Sequence, residues 1–220
     1  MRKLVVFGTT DAAELANFYF TRDTTYQVVA FSVDREFIKS DTFCGLPIVP
    51  FEEITTTFSP ESHDFFVALG YSKLNQLRKD KYFAVKEYGY RLASYISPRA
   101  TIFDQDQIGE NCFILEDNTL QPFSRIGDNV TLWSGNHIGH HSIISSHCFL
   151  ASHIVVSGHV NIGESCFVGV NATFRDNITI GEKSIIGAGT LILRSIESGG
   201  VYVGEETVRS RIPSHRLKKI

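Results

Sequence analysis

From Ile96 to Ile192 the chain places an aliphatic residue or Phe at every sixth position: Ile96, Ile102, Ile108, Ile114, Leu120, Ile126, Leu132, Ile138, Ile144, Leu150, Val156, Ile162, Val168, Phe174, Ile180, Ile186 and Ile192. An amphipathic helix repeats every 3.6 residues and an amphipathic strand every two, so neither accounts for this spacing. The period is that of a hexapeptide repeat. It predicts a triangular coil of three short strands, in which residues about 18 apart stack directly above one another.

Four positions after each large residue the side chain is usually small or β-branched: Cys112, Ser124, Val130, Ser142, Cys148, Val160, Cys166, Ala172, Ser184 and Thr190. One large and one small inward position per side is what a narrow prism can hold at crystal-like density. Gly109, Gly127, Gly139, Gly163, Gly181 and Gly187 follow the large residue directly, where the chain turns a corner and a Cβ would obstruct it. Cys112, Cys148 and Cys166 differ by multiples of 18 and are read as one buried column of compact apolar fillers. Their spacing fits no zinc motif, and a reducing compartment keeps such thiols free.

The 220 residues allow one or two domains, and 43% apolar with 20% charged residues is ordinary globular composition. A net charge of −3 gives no reason to expect nucleic acid or an anionic membrane as partner. No apolar run reaches the ~18 residues of a membrane span, and Met1-Arg2-Lys3 leads into a strand pattern rather than a signal peptide. A soluble, cytoplasmic protein is expected.

Ahead of the repeats the pattern alternates. Lys3 to Phe7 reads as a strand, Gly8-Thr9-Thr10 as a turn, and Asp11 as the cap of a helix carrying Leu15, Ala16, Phe18 and Tyr19. Further strands are expected at Gln27 to Ser32, His63 to Leu69 and Leu92 to Ile96, with a helix from Ser72 to Tyr88. The alternation predicts a small parallel Rossmann-like sheet over residues 1–95, followed by the coil over 96–220. Such sheets bind ligands at the carboxyl ends of their strands, here Gly8 to Asp11, Asp34, and Gly70-Tyr71-Ser72. Free amides at the helix start after Gly8 suit a phosphate, although a single Gly is a weak motif and equally closes a tight turn.

The segment Gly135-Asn-His-Ile-Gly-His-His141, followed by His147, His153 and His159, is the richest in chemistry. His141, His147, His153 and His159 share one outward phase on successive faces, which suits solvated or interface positions. His140 is distinct because the residue stacked one coil beyond it is Gly158. An imidazole above a glycine leaves room for a ligand and a backbone N–H able to polarise a carbonyl. Imidazole is also matched to accepting a proton near neutral pH. Phe149 and Phe167 fall outside the inward phases, and as exposed rings they would mark an interface between copies of the chain.

With Ser157-Gly-His, Gly169-Val-Asn171 and Ile186-Gly-Ala-Gly-Thr190 added, the chain resembles the NeuD/PglD-type nucleotide-sugar acyltransferases over nearly its whole length. The resemblance implies a left-handed coil, an exception to the right-handed crossover rule. It also implies a homotrimer with acetyl-CoA in the groove between neighbouring coils and no metal. The acceptor would be a nucleotide-linked amino sugar, of the 4-amino-4,6-dideoxy kind, used for a bacterial surface glycan and held by the N-terminal domain. On this basis His140 is the general base, His141 its neighbour, and Gly158 the amide that binds the acetyl carbonyl. Asn171, Gly187, Ala188 and Arg194 join Gly158 as acetyl-CoA residues. Gly8, Thr9, Thr10, Asp34, Gly70, Tyr71 and Asn75 are the expected nucleotide-sugar residues. Two departures stand out: His141 occupies a position that is usually acidic in the family, and Val203-Gly-Glu-Glu-Thr207 replaces its usual Gly-x-Pro-Ala turn.

Other functions fit parts of the pattern. A sugar O-acetyltransferase of the sialic-acid kind would use the same groups on a hydroxyl. A metal protein of the γ-carbonic-anhydrase kind is suggested by the many histidines, but zinc needs three converging ligands and His141, His147 and His153 are expected on three faces. A non-enzymatic solenoid scaffold leaves the nucleotide-type domain unexplained.

Overall fold

The computed structural model describes residues 2–216. The N-terminal part is an α/β sandwich, formed by β1 (Arg2–Phe7), α1 (Asp11–Asp23), β2 (Tyr26–Val33), β3 (Thr42–Phe43), β4 (Leu46–Pro50), α2 (Ile54–Thr57), β5 (His63–Val67), α3 (Gln76–Glu87) and β6 (Arg91–Leu92). The sheet runs β3-β4-β2-β1-β5-β6 and is parallel throughout except for β3 against β4. Strand alternation sorts β1 between two cores. Leu4 and Val6 meet Ala13, Ala16 and Phe20 of α1, while Val5 and Phe7 meet Ile54 of α2 and Tyr82 and Val85 of α3.

Three local readings change. Thr10, not Asp11, precedes the first turn of α1, without a side-chain cap, and the buried face of the helix carries Phe20 while Phe18 is exposed. The helix expected from Ser72 begins at Gln76, because Lys73, Leu74 and Asn75 form a left-handed turn with φ of 51°, 52° and 65°. The β3–β4 hairpin has no counterpart in the sequence reading. Its turn residues Cys44 and Gly45 both have positive φ, the geometry usually advertised by Asn-Gly.

The expected strand at Leu92 to Ile96 divides in two: β6 closes the sheet, and Tyr95–Ile96 is the first strand of the coil. The coil is a left-handed parallel β-helix with three faces. The first face carries the strand pairs starting at Tyr95, Phe113, Thr131, Phe149, Phe167, Ile185 and Val201. The second runs from Thr101 to Leu191, and the third from Arg125 to Thr179. Partners are 18 residues apart, as in Thr119 with His137, until the last coil, where Ile185 pairs with Val201. From Ile114 to Ile186 the period-six residues are at most 3% exposed, and the small phase is buried beside them. The three buried thiols fill the space as read: Cys112, Cys148 and Cys166 lie against the carbonyls of Gly127, Gly163 and Gly181, and all four cysteines are free.

Two residues after each corner glycine the backbone is left-handed. Asn111, Asn129, His141, Ser165 and Lys183 hold this position, and so do His147, His153 and His159 at other corners, with φ between 52° and 65°. Asn and His tolerate this conformation better than most residues, which gives the histidine phase a backbone reason.

The N-terminal domain is packed on the first face. Tyr95, Phe113 and Leu115 complete the α1-side core, and Phe113 meets the rings of Tyr19 and Phe66. Arg78, fully buried, donates to Thr131 Oγ1 at 3.1 Å and to the carbonyls of His147 and Cys148 at 3.3 and 2.9 Å. Phe149 and Phe167 are less exposed than expected: Tyr71 lies over both rings, at 4.9 and 4.7 Å. An outward aromatic on a solenoid face is covered by whatever packs there, and here that is the chain's own domain.

Candidate active site

The carboxyl ends of the parallel strands open into a cleft of about 440 Å³, within the range of small-ligand pockets. Gly8, Thr9, Thr10 and Asp34 line it, together with Leu69, Lys39 and Lys81, which sequence reasoning did not single out. Gly8 is obligatory: its φ is +124°, and an added Cβ would come 2.7 Å from the Ala68 carbonyl oxygen. Its N–H donates to the Ser32 carbonyl at 2.8 Å and that of Ala13 to the Thr10 carbonyl, so the amides left free for an anion among the described residues run from Thr9 to Ala12. The Asp34 carboxylate is ion-paired with Lys81, whose ammonium also sits over Phe7 and Phe51 at 5.2 and 5.0 Å.

Gly70 is exposed, with open space where a Cβ would stand, so no steric need fixes it as glycine. Tyr71 and Asn75 lie outside the cleft. Tyr71 borders a separate apolar hollow with Trp133, Phe149 and Phe167. Asn75 is sealed between the domains and donates from Nδ2 to the Cys166 carbonyl at 3.1 Å. Asn75, the last residue of the left-handed turn that delays α3, is directed at the coil, and Tyr71, just before that turn, lies over Phe149 and Phe167.

His140 stands at the corner between the second and third faces, opposite the face that the N-terminal domain covers. A Cβ on Gly158 would come 2.7 Å from Cε1 and 2.8 Å from Nε2 of His140, so the exposed imidazole lies directly over the glycine as the spacing predicted. The Gly158 N–H donates to no protein group among the described residues. His140 is held at its backbone by Gln121 Oε1, 3.0 Å from its N–H, and at its ring by a 3.1 Å contact between its Nδ1 and Nδ1 of His141. One nitrogen of that pair must donate and the other accept, so neutral His141 can do part of what a carboxylate would: accept from Nδ1–H and leave Nε2 of His140 basic.

The expected acetyl-CoA residues divide between two corners. Gly158 and Arg194 share the His140 corner, while Asn171, Gly187 and Ala188 are at the corner between the first and second faces. His141, His147 and His153 occupy three different corners as expected. The 18-residue step pairs His141 with His159, as the sequence implies; what sequence reasoning missed is that this brings a third imidazole to His140, with ring centroids 5.1 Å apart.

The family model for the bacterial transferase hexapeptide (six repeats) matches residues 159–194. No curated protein matches the sequence. Among solved structures, the chain is similar to the acetyltransferase domain of PglB from Neisseria gonorrhoeae FA1090, at 25% identity and TM-score 0.83, covering 93% of this chain and 97% of that one. It is similar in fold to PerB from Caulobacter crescentus, solved with CoA and GDP-perosamine, at 24% identity and TM-score 0.82, over 93% and 95% of the two chains. WeeI from Acinetobacter baumannii AYE shares the fold at 17% identity and TM-score 0.70, over 93% and 97%.

Proposed function

We propose, for a chain that carries the transferase hexapeptide repeat and shares the two-domain fold of the NeuD/PglD-type sugar acetyltransferases, that it transfers acetyl from acetyl-CoA to the amine of a nucleotide-linked amino sugar. The observation that carries this reading is the His140 imidazole lying over Gly158, whose N–H is unused. The nucleotide occupies the cleft at Gly8, Thr9, Thr10 and Asp34, with Lys81 and Lys39 as cations near its phosphates.

In the transfer, the amine attacks the thioester carbonyl and the new C–N bond forms. The carbonyl oxygen gains charge beside the Gly158 N–H, and Nε2 of His140 takes the amine proton. As the C–S bond breaks, the imidazolium returns that proton to the departing thiolate. The products are an acetamido sugar and CoA, with no covalent enzyme intermediate.

A homotrimer belongs to the same proposal. His140 is opposite the chain's own nucleotide cleft, and the expected CoA residues divide between two corners of one prism. A groove that unites them is formed when one copy's His140 corner faces another copy's Asn171 and Ala188 corner. Val155 and Leu191, 41% and 62% exposed on the second face, would be covered in that arrangement. A cytoplasmic role in surface-glycan synthesis is likewise proposed; no helix among the described residues is long and apolar enough to cross a membrane.

The test is thioester consumption with UDP-, dTDP- and GDP-linked amino sugars, with the product identified by mass spectrometry. At least one should be N-acetylated, and His140→Ala should lower kcat by about 10²–10⁴ while leaving nucleotide binding intact. Consumption with none of them, or a His140→Ala enzyme as fast as the parent below the pKa of the amine, would overturn the assignment.

A further inference from the structure

His140, His141 and His159 bring three imidazoles to one exposed corner, each offering a nitrogen within 4.8 Å of the others. The arrangement follows from the coil. His141 and His159 hold the same left-handed position in successive turns, with φ of 59° and 58°, and their rings stack at 4.7 Å and 13°. The His159 N–H donates to the His140 carbonyl at 3.0 Å, which locks the two turns together and sets the His140 ring nearly perpendicular to His159, at 86°.

We propose that this triad is a site for a divalent transition metal ion, Zn²⁺ or its neighbours, and that its occupation switches acetyl transfer off. Tetrahedral zinc holds nitrogen at ~2.0–2.1 Å, which separates two ligands by roughly 3.3 Å. The 3.1 Å between the Nδ1 atoms of His140 and His141 is already one edge of that figure. The remaining edges start within 4.8 Å and close by rotation of the exposed rings, with His141 and His159 giving up their parallel stacking, while the backbone beneath them is fixed by coil stacking. Three neutral imidazoles without a carboxylate select zinc, copper or nickel over magnesium or calcium, and the fourth position is left open to water. No carboxylate hydrogen-bonds to these rings among the described residues, so the ion lacks the outer partners that make structural zinc sites tight, and binding is reversible.

Either mode of coordination disables His140, a consequence that rests on its assignment as base. Through Nε2, the metal takes the lone pair that receives the amine proton. Through Nδ1, it forces the ring proton onto Nε2, which then cannot accept another. The step involves no redox change and reverses on chelation.

The deciding experiment is competition for Zn²⁺ between the untagged, metal-free protein and a chromophoric chelator, with His159→Gln and His63→Gln alongside. His63 belongs to the N-terminal sheet, with its ring against Ser62 Oγ and the Ser59 carbonyl, and serves as the control. The expected result is one zinc per chain, weakened by more than about tenfold in His159→Gln, since losing a ligand costs at least as much as losing an outer partner, and unchanged in His63→Gln. Equal affinity in His159→Gln and the parent, or no binding that competes with the chelator, overturns the site. Zinc that binds as expected but leaves acetyl transfer unaffected overturns the inhibitory role. Because the chelator reads binding without turnover, the site stands or falls separately from the acetyltransferase reading.

Discussion

His147 should make the junction between the two domains acid-sensitive, and a single substitution should remove that sensitivity. A hydrogen-bonded ladder runs along one corner from a backbone donor. The Val67 N–H donates to Asn111 Oδ1 at 2.8 Å, Asn111 Nδ2 to Asn129 Oδ1 at 2.8 Å, and Asn129 Nδ2 to His147 Nδ1 at 2.9 Å. The first donor fixes the polarity of every rung, so His147 Nδ1 must accept and the ring must be neutral. Burial, with Lys79 nearby and only Glu164 and Asp128 opposing, brings its pKa down from 6.5 to about 4. The folded value lies below the unfolded one, so this contribution to stability is complete above pH ~6.5 and is lost as the pH falls toward 4. The loss is about 2 kcal/mol at pH 5 and about 3 kcal/mol below pH 4. Asn in place of His147 would continue the Asn column, tolerate the same left-handed backbone and carry no proton. Urea unfolding at pH 7 and pH 5 should therefore show a drop in stability for the parent that exceeds the drop for His147→Asn by about 2 kcal/mol. A His147 ring whose NMR titration centres near pH 6.5, or equal drops in the two proteins, would refute the argument.

Contacts elsewhere in the molecule carry three further expected outcomes. Gly158→Ala should push the His140 ring aside and lower kcat by about 10²-fold with little change in nucleotide affinity, because misplacing a reacting group by about 1 Å has that effect; steady-state kinetics with calorimetry of nucleotide binding would check it. Arg78→Ala should lower unfolding stability by about 3 kcal/mol, since it empties a fully buried site at the domain junction and strands Thr131 Oγ1 and the His147 carbonyl; the urea midpoint reads this directly. Native protein should expose one thiol per chain to a chromogenic disulfide reagent, Cys44, and four after denaturation, with burial pushing the Cys112 thiol up to about 12 and holding it inert.

The coil is legible in the sequence because its period converts sequence distance into contact. Knowing that residue 158 stacks on residue 140 is enough to find the His140–Gly158 pair, and the same rule buries the cysteine column. The period does not encode the surface that packs against an outward side chain. Tyr95, Phe113, Thr131, Phe149 and Phe167 follow one another up the first face, yet nothing in their spacing says that an α/β domain covers them. Tyr71 and Asn75 read as ligand contacts because they come after a strand end. The left-handed turn that begins after Tyr71 and ends on Asn75 contains neither Gly nor Pro, so the delayed start of α3 is not marked by the usual turn residues. Asp34 is found from its place after β2, whereas Lys81, its partner, comes from the middle of α3 and becomes visible only when helix and sheet are assembled.

The register of the coil also sets a unit of length for change in this protein. Eighteen added residues restore every side chain to its face and displace the downstream coils by one strand spacing, about 4.8 Å along the axis. Six added residues preserve the large and small phases but rotate everything downstream by a third of a turn. Inserted ahead of Gly139, they would carry His140 from the corner opposite the N-terminal domain to one beside it, leaving the prism sound and the proposed site dismantled. Insertions that are not multiples of six would turn the large inward residues out of the core. Length variants of this chain thus separate stability from activity in a way that point substitutions do not.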